Sequence, residues 1–164
     1  MIPPSELRVR DVMSRKPLVT IGPDATLAEL ERVLIEHRVT GVPVVERGKV
    51  VGVISRSDVV RQISVGRTLA EIAVDYYHDL RGPVGSGQGL AEDAELSGRI
   101  VGDRLETTRV RDAMAERVIA VSPSDYVARA AREMLERGIH RVLVLEEGAL
   151  VGIVSSLDLV ALLL

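Results

Sequence analysis

Residues 42–58, Val-Pro-Val-Val-Glu-Arg-Gly-Lys-Val-Val-Gly-Val-Ile-Ser-Arg-Ser-Asp, return 100 positions later as residues 142–158, Val-Leu-Val-Leu-Glu-Glu-Gly-Ala-Leu-Val-Gly-Ile-Val-Ser-Ser-Leu-Asp. Pro23 and Pro123 keep that offset, and Val9-Arg-Asp-Val-Met13 matches Val110-Arg-Asp-Ala-Met114 at an offset of 101, so the second copy is one residue shorter between these anchors. A duplication at this spacing limits the chain to folds built from two related units. Each copy of about 55 residues is too small to bury a comfortable core alone. The copies are therefore expected to pack together with pseudo-twofold symmetry around a cleft.

Within each copy the apolar period changes in the order strand, helix, strand, strand, helix. Leu18-Val-Thr-Ile21 is a short β-branched run stopped by Gly22-Pro23, after which Leu27, Leu30, Val33 and Leu34 recur at helical spacing. Thr26 and Glu29 suit a capping box at that helix start. Val42–Val45 and Val50–Ile54 read as a hairpin through Glu46-Arg-Gly-Lys49, with Gly48 placed for a positive φ, and a helix begins near Ser57. The second copy repeats this with Val118–Val121, a helix from about Ser124 to Arg137, Val142–Leu145, Leu150–Val154 and a helix to Leu164. Near-continuous aliphatic strands imply sheets covered on both faces, an α/β (α+β) architecture.

The expected division is 7–63 for the first repeat, 64–108 for a partly helical insert and 109–164 for the second repeat. In the insert, Thr68 to Tyr77 looks helical, Gly82-Pro-Val-Gly-Ser-Gly-Gln-Gly89 reads as a flexible linker, and acidic Glu92-Asp-Ala-Glu95 follows. Gly85-Ser-Gly87 lacks the strand before it and the Lys-Ser/Thr after it that a phosphate loop requires.

Composition narrows the function. The net charge of −3 offers no general attraction to nucleic acid or anionic lipid, and 2% aromatic residues leave few stacking platforms for bases. Absence of cysteine removes disulfides, thiolate metal sites and cysteine nucleophiles, and His37, His78 and His140 lack close metal-ligand spacing. The opening Met-Ile-Pro-Pro-Ser-Glu does not resemble a secretory leader, and no apolar run approaches the ~20 residues of a spanning helix. No metal, no membrane and a cytoplasmic location are the expectations.

Both copies carry Gly-aliphatic-aliphatic-Ser-x-x-Asp, ending in Ser55 and Asp58 and in Ser155 and Asp158. Two readings use the same atoms. Serine at a strand-to-helix junction with a carboxylate three residues on is a helix cap. Equally, the hydroxyl and free amides can meet a phosphate while the carboxylate accepts ribose hydroxyls.

With Val39-Thr-Gly-Val-Pro-Val-Val45, Ile139-His-Arg-Val-Leu-Val-Leu145 and the two Val-Arg-Asp-x-Met motifs added, the chain resembles a tandem pair of CBS domains, a Bateman module, over both copies. The resemblance implies two β-α-β-β-α repeats and an adenine-containing ligand (AMP, ADP, ATP or S-adenosylmethionine) as regulator rather than required cofactor. It implies a first site with Leu18, Val39, Thr40, Gly41 and Pro43 around the base, Asp158 on the ribose, and Ser155 near phosphate beside Ile153. A second, weaker site would use Val118, Ile139 and His140 with Ser55 and Asp58. There Arg141 and Leu143 stand where the first copy has Gly41 and Pro43. By likeness to the γ subunit of AMP-activated protein kinase, Arg141 and His140 would face phosphate in the first site. A surface ion pair for Arg141 and an ordinary strand-edge role for His140 are the alternatives.

The expected function is a non-enzymatic sensor that binds an adenine ligand, forms a homodimer and signals to a separate, unidentified protein. The competing class is a homodimeric interaction scaffold that binds no small molecule. An enzyme is disfavoured, since no catalytic residue set stands out.

Overall fold

The computed structural model describes residues 6–15, 18–66, 68 and 88–163. The expected insert helix lies, beyond Thr68 itself, outside these residues, as does the glycine-rich stretch up to residue 87. In chain order the elements are α1 (Val9–Val12), α2 (Leu27–Glu36), β1 (Gly41–Glu46), β2 (Lys49–Ser55), α3 (56–66), α4 (Gln88–Thr107), α5 (Val110–Ala113), β3 (Ala120–Val121), α6 (Val127–Arg137), β4 (Arg141–Glu146), β5 (Ala149–Ser155) and α7 (Ser156–Val160), with a 3-10 turn over Ala161–Leu163. This is the mixed helix and strand content expected of an α+β repeat architecture. Strands β1 and β2 pair as one sheet, and β3-β4-β5 form another.

Both hairpins turn on two residues of positive φ, Arg47 and Gly48 at 49° and 79°, and Glu147 and Gly148 at 52° and 84°. That pair of conformations matches the twist of the flanking strands, with glycine bearing the larger angle. The first-strand expectation holds only in part. In the second copy β3 runs parallel to β4, pairing Ala120 with Leu143 and Val121 with Val144. In the first copy residues 18–20 belong to no strand, and Ile21 makes a single bridge. Pro17, which has no amide hydrogen to donate, precedes that run where the second copy has Arg117.

The chain divides into two compact units, each drawn from both copies: residues 1–20, 43–53 and 115–164 form one, and 21–42 with 54–114 the other. In the first unit Val9, Val121, Ala130, Met134, Val142, Val144 and Val154 make a buried core. In the second, Ile21, Leu27, Leu30, Leu34, Val42, Ile54, Val59 and Val110 are buried.

The composite make-up of the units has a backbone cause. In the first unit the amides of Val9 and Arg10 donate to the carbonyls of Asp125 and Pro123 at 2.9 and 3.0 Å, docking α1 on the start of α6. In the second unit Val110 and Arg111 donate to Ala25 and Pro23 at 2.8 and 3.0 Å, docking α5 on the start of α2. Each one-turn helix thus caps the helix of the other copy, which gives the repeated Val-Arg-Asp and the spaced prolines one shared physical role. Ser14 and Ile153 extend the exchange with paired backbone bonds of 2.9 and 3.2 Å.

The α2 start carries the expected box: Thr26 Oγ1 accepts from the Glu29 amide at 3.1 Å, and the Glu29 carboxylate accepts from the Thr26 amide at 2.7 Å. That backbone bond, more than any other influence, holds the Glu29 carboxyl below its ordinary range. A carboxyl depressed on folding adds stability above its unfolded pKa and loses it as pH falls through the folded value. Thr26→Ala removes the acceptor for the Glu29 amide and is expected to cost about 1 kcal/mol, whereas Glu29→Ala, which removes the depressed carboxylate, is expected to lower stability at pH 7 more than at pH 3, both measured by urea unfolding. In the second copy Tyr126 replaces the capping threonine, and the Arg8 guanidinium lies 3.7 Å from its ring centroid.

Helix α4 was not anticipated. From residue 94 onward the partly covered positions are 96, 97, 100, 101, 104 and 105, one stripe along the helix. Gly98 and Gly102 face open space on the other side. No helix among the described residues is long and apolar enough to cross a membrane.

Candidate functional site

In the first unit the end of β5 feeds directly into α7. Ser155 is extended at φ −108° and ψ 163°, which places its side chain at the helix start. One oxygen of Asp158, Oδ2, accepts from both the amide and the hydroxyl of Ser155, at 2.7 and 2.6 Å. The Asp158 amide returns a bond to Ser155 Oγ at 3.3 Å. The cap is therefore real, and it occupies one carboxylate oxygen; among the described residues Asp158 Oδ1 carries no hydrogen bond.

Strand pairing aligns the neighbours. Arg141 opens β4 with Ser155 as its cross-strand partner, and Leu143 faces Ile153. The amide of Ser156 donates to the His140 carbonyl at 2.9 Å, so His140 and Arg141 stand beside the Ser155 cap, both exposed. Leu18, Val118, Ile139 and Ile153 are half-buried and Pro43 is buried in the same unit. Ile139 packs against the core.

The second unit holds Val39, Thr40, Gly41, Ser55 and Asp58. Here Asp58 Oδ2 accepts from the Ser55 amide and hydroxyl at 2.8 and 2.7 Å, repeating the Ser155 arrangement. Its other oxygen accepts from Arg61 Nη1 at 3.1 Å. The carbonyl of exposed Thr40 accepts from the Arg56 amide at 3.0 Å, and the half-buried Val39 donates its amide to Leu34 at 3.1 Å. A Cβ on Gly41 would lie 3.0 Å from the Ile54 carbonyl oxygen and 3.2 Å from Ser55 Cβ. The adjoining strand, before any ligand, already favours the missing side chain.

A cleft of about 400 Å³ opens in the first unit between Arg15, Leu18, Thr20, Val45, Gly48 and Ala149–Val151. Its size falls within the range of small-molecule sites, yet of the expected residues only Leu18 lines it. Strand β5 separates its wall at Ala149 from Ser155, so the capped carboxylate and this cleft are different places on one sheet. Arg15, which donates to the Arg10 carbonyl at 2.7 Å, has no pattern in the sequence that would single it out. Among the described residues no group of three or more His, Asp or Glu side chains is arranged to hold a metal.

Comparison with known proteins gives concordant results. A family model described as the CBS domain matches residues 9–65 and again 110–164. The uncharacterized protein MJ1426 of Methanocaldococcus jannaschii is 31% identical over 164 residues, spanning 95% of this chain and 90% of its own. Among solved structures, CBSX2 in complex with AMP superposes with a TM-score of 0.65 at 25% identity, covering 94% of both chains. The CBS domain pair of protein MJ0100, in complex with 5-methylthioadenosine and S-adenosyl-L-methionine, gives 0.61 at 21% identity over 96% of this chain and 95% of that one.

Proposed function

Because the chain belongs to the CBS domain family, with both copies matched, we propose that it is a regulatory module that binds an adenine-containing ligand and passes the binding state to a separate protein. The observation that carries this reading is the half-engaged Asp158 carboxylate. Ser155 fixes Oδ2 through two bonds and leaves Oδ1 to accept from a ribose hydroxyl, while Arg141 and His140 stand alongside with positive or hydrogen-bonding groups suited to phosphate. The AMP in CBSX2 and the methylthioadenosine and S-adenosylmethionine in MJ0100 support the ligand class. No catalytic step belongs to the reading.

Isothermal titration with AMP, ADP, ATP and S-adenosylmethionine tests it. Saturable heat with at least one is expected; no heat and no thermal shift with any of the four would overturn it.

A second reading, a homodimeric scaffold, draws on one feature. Leu135, Leu157 and Leu163 in the first unit are 83%, 77% and 79% exposed. Large apolar side chains at such exposure mark interaction surfaces when they cluster. A chain that sediments as a dimer and is silent in all four titrations would favour it.

A further inference from the structure

We propose, resting on the adenine-binding reading, that Arg61 is an internal lock on the Ser55–Asp58 copy of the capped carboxylate, so that the chain takes its ligand at Ser155 and Asp158 first and binds a second one weakly or not at all. The two capped carboxylates are held alike, and differ in what meets the second oxygen. In each, the serine amide and hydroxyl hold Oδ2 of the aspartate, at 2.8 and 2.7 Å for Ser55 and at 2.7 and 2.6 Å for Ser155. They part at the position three residues beyond the aspartate, which is Arg61 in the first copy and Ala161 in the second.

Arg61 lies one turn along α3 and donates to Asp58 Oδ1 at 3.1 Å. The Asp58 side chain is 14% exposed and that of Arg61 is 68% exposed. The carboxylate is thus recessed and the guanidinium lies on its solvent side, across the approach to the one oxygen the cap leaves over.

The lock is selective for chemistry as well as for space. A ribose hydroxyl bound to a carboxylate acts as donor and needs an acceptor lone pair. A guanidinium has five donors and no acceptor, so it cannot stand in for the oxygen it covers. A ligand at Asp58 has to displace the ion pair, whereas the methyl of Ala161 places no donor on Asp158. Because the pair is exposed at its arginine end, displacement is a handicap of about fivefold in affinity rather than an absolute block. The handicap adds to that of Arg141 and Leu143 standing where the first copy has Gly41 and Pro43.

Titration of the full chain with AMP and, separately, with S-adenosylmethionine tests the lock in three versions: parent, Arg61→Ala and Ala161→Arg. The parent is expected to show one strong binding event per chain. Arg61→Ala should reveal a second event, or tighten an existing weak one by about fivefold, with the first unchanged within about twofold. Ala161→Arg should weaken the strong event by about fivefold. Both substituted positions are exposed, and a thermal melt of each variant checks that it folds. Two equal events in the parent, or stoichiometry and affinities unaffected by Arg61→Ala, would overturn the lock while leaving adenine binding intact. Silence of all three chains with both ligands would overturn the binding reading itself, and the lock with it.

Discussion

Asp158→Ala is expected to lower the affinity for the adenine ligand by about 30-fold, while Asp58→Ala is expected to change it by less than about threefold. The difference comes from what each carboxylate has left to give. Hydrogen bonds to a charged acceptor contribute about 1.5–3 kcal/mol apiece, and Asp158 has an oxygen for one, whereas both oxygens of Asp58 are engaged, by Ser55 and Arg61. Removing Asp158 also removes the acceptor for the Ser155 amide, so part of any loss could come from a loosened helix start. Asp158→Asn separates the two effects. Its amide oxygen can still accept from Ser155, while its NH2 group, in the place of Oδ1, can only donate. Calorimetric affinities should fall for both Asp158 variants and stay near the parent value for Asp58→Ala. Greater sensitivity at Asp58 would reverse the assignment of the strong site.

Gly152→Val is expected to destabilise the chain by about 3 kcal/mol. A Cβ at this buried position would lie 2.7 Å from Met13 Sδ, 3.0 Å from Met13 Cγ and 3.1 Å from the Ser14 carbonyl oxygen. The methionine can turn aside. The carbonyl cannot, since Ser14 is tied to Ile153 by reciprocal backbone bonds of 2.9 and 3.2 Å. Urea unfolding should show a lower midpoint at similar slope, and Met13→Ala in the Gly152→Ala background should recover part of the smaller loss caused by alanine alone. Gly98→Ala is the control: no atom lies within 4 Å of its Cβ position, and an exposed helix interior gains roughly 0.5–1 kcal/mol from the change. Equal midpoints for Gly152→Val and the parent would show that the exchanged segment is not held as described.

What could be read from the sequence was local. The Thr26–Glu29 box, the positive φ at Gly48 and the body of the helix expected from about Ser124 to Arg137, which starts at Val127, all follow from neighbours within four positions. The partners of Val-Arg-Asp do not: its repetition was visible, but nothing near residue 9 indicates a carbonyl at Asp125, because pairing across more than a hundred residues leaves no period in the sequence. Helix α4 begins inside the stretch expected to be a flexible linker, at Gln88 and Gly89, and its weak apolar period is further interrupted by Gly98 and Gly102, which are tolerated because they lie on the outward side. Leu18 to Ile21 shows the opposite error, strand-like residues that form one bridge. At the candidate site, Ser-x-x-Asp was legible as cap or ligand group, and the geometry lets both readings coexist by dividing the two carboxylate oxygens. A weaker second site at Asp58 is already an expectation from Arg141 and Leu143 standing where the first copy has Gly41 and Pro43; the part of Arg61 is not, because an arginine three residues beyond an aspartate on a helix reads as an ordinary surface pair until the cap is seen to leave that carboxylate one oxygen.

The account rests on a ribose hydroxyl meeting Asp158, and a calorimetric cycle isolates that contact: AMP and 2′,3′-dideoxy-AMP, each titrated into the parent chain and into Asp158→Asn. The dideoxy analogue should bind the parent about tenfold or more weaker than AMP, and the two should bind Asp158→Asn with nearly equal affinity. An equal preference for AMP in both proteins, or none in either, would place the sugar elsewhere and contradict the assignment.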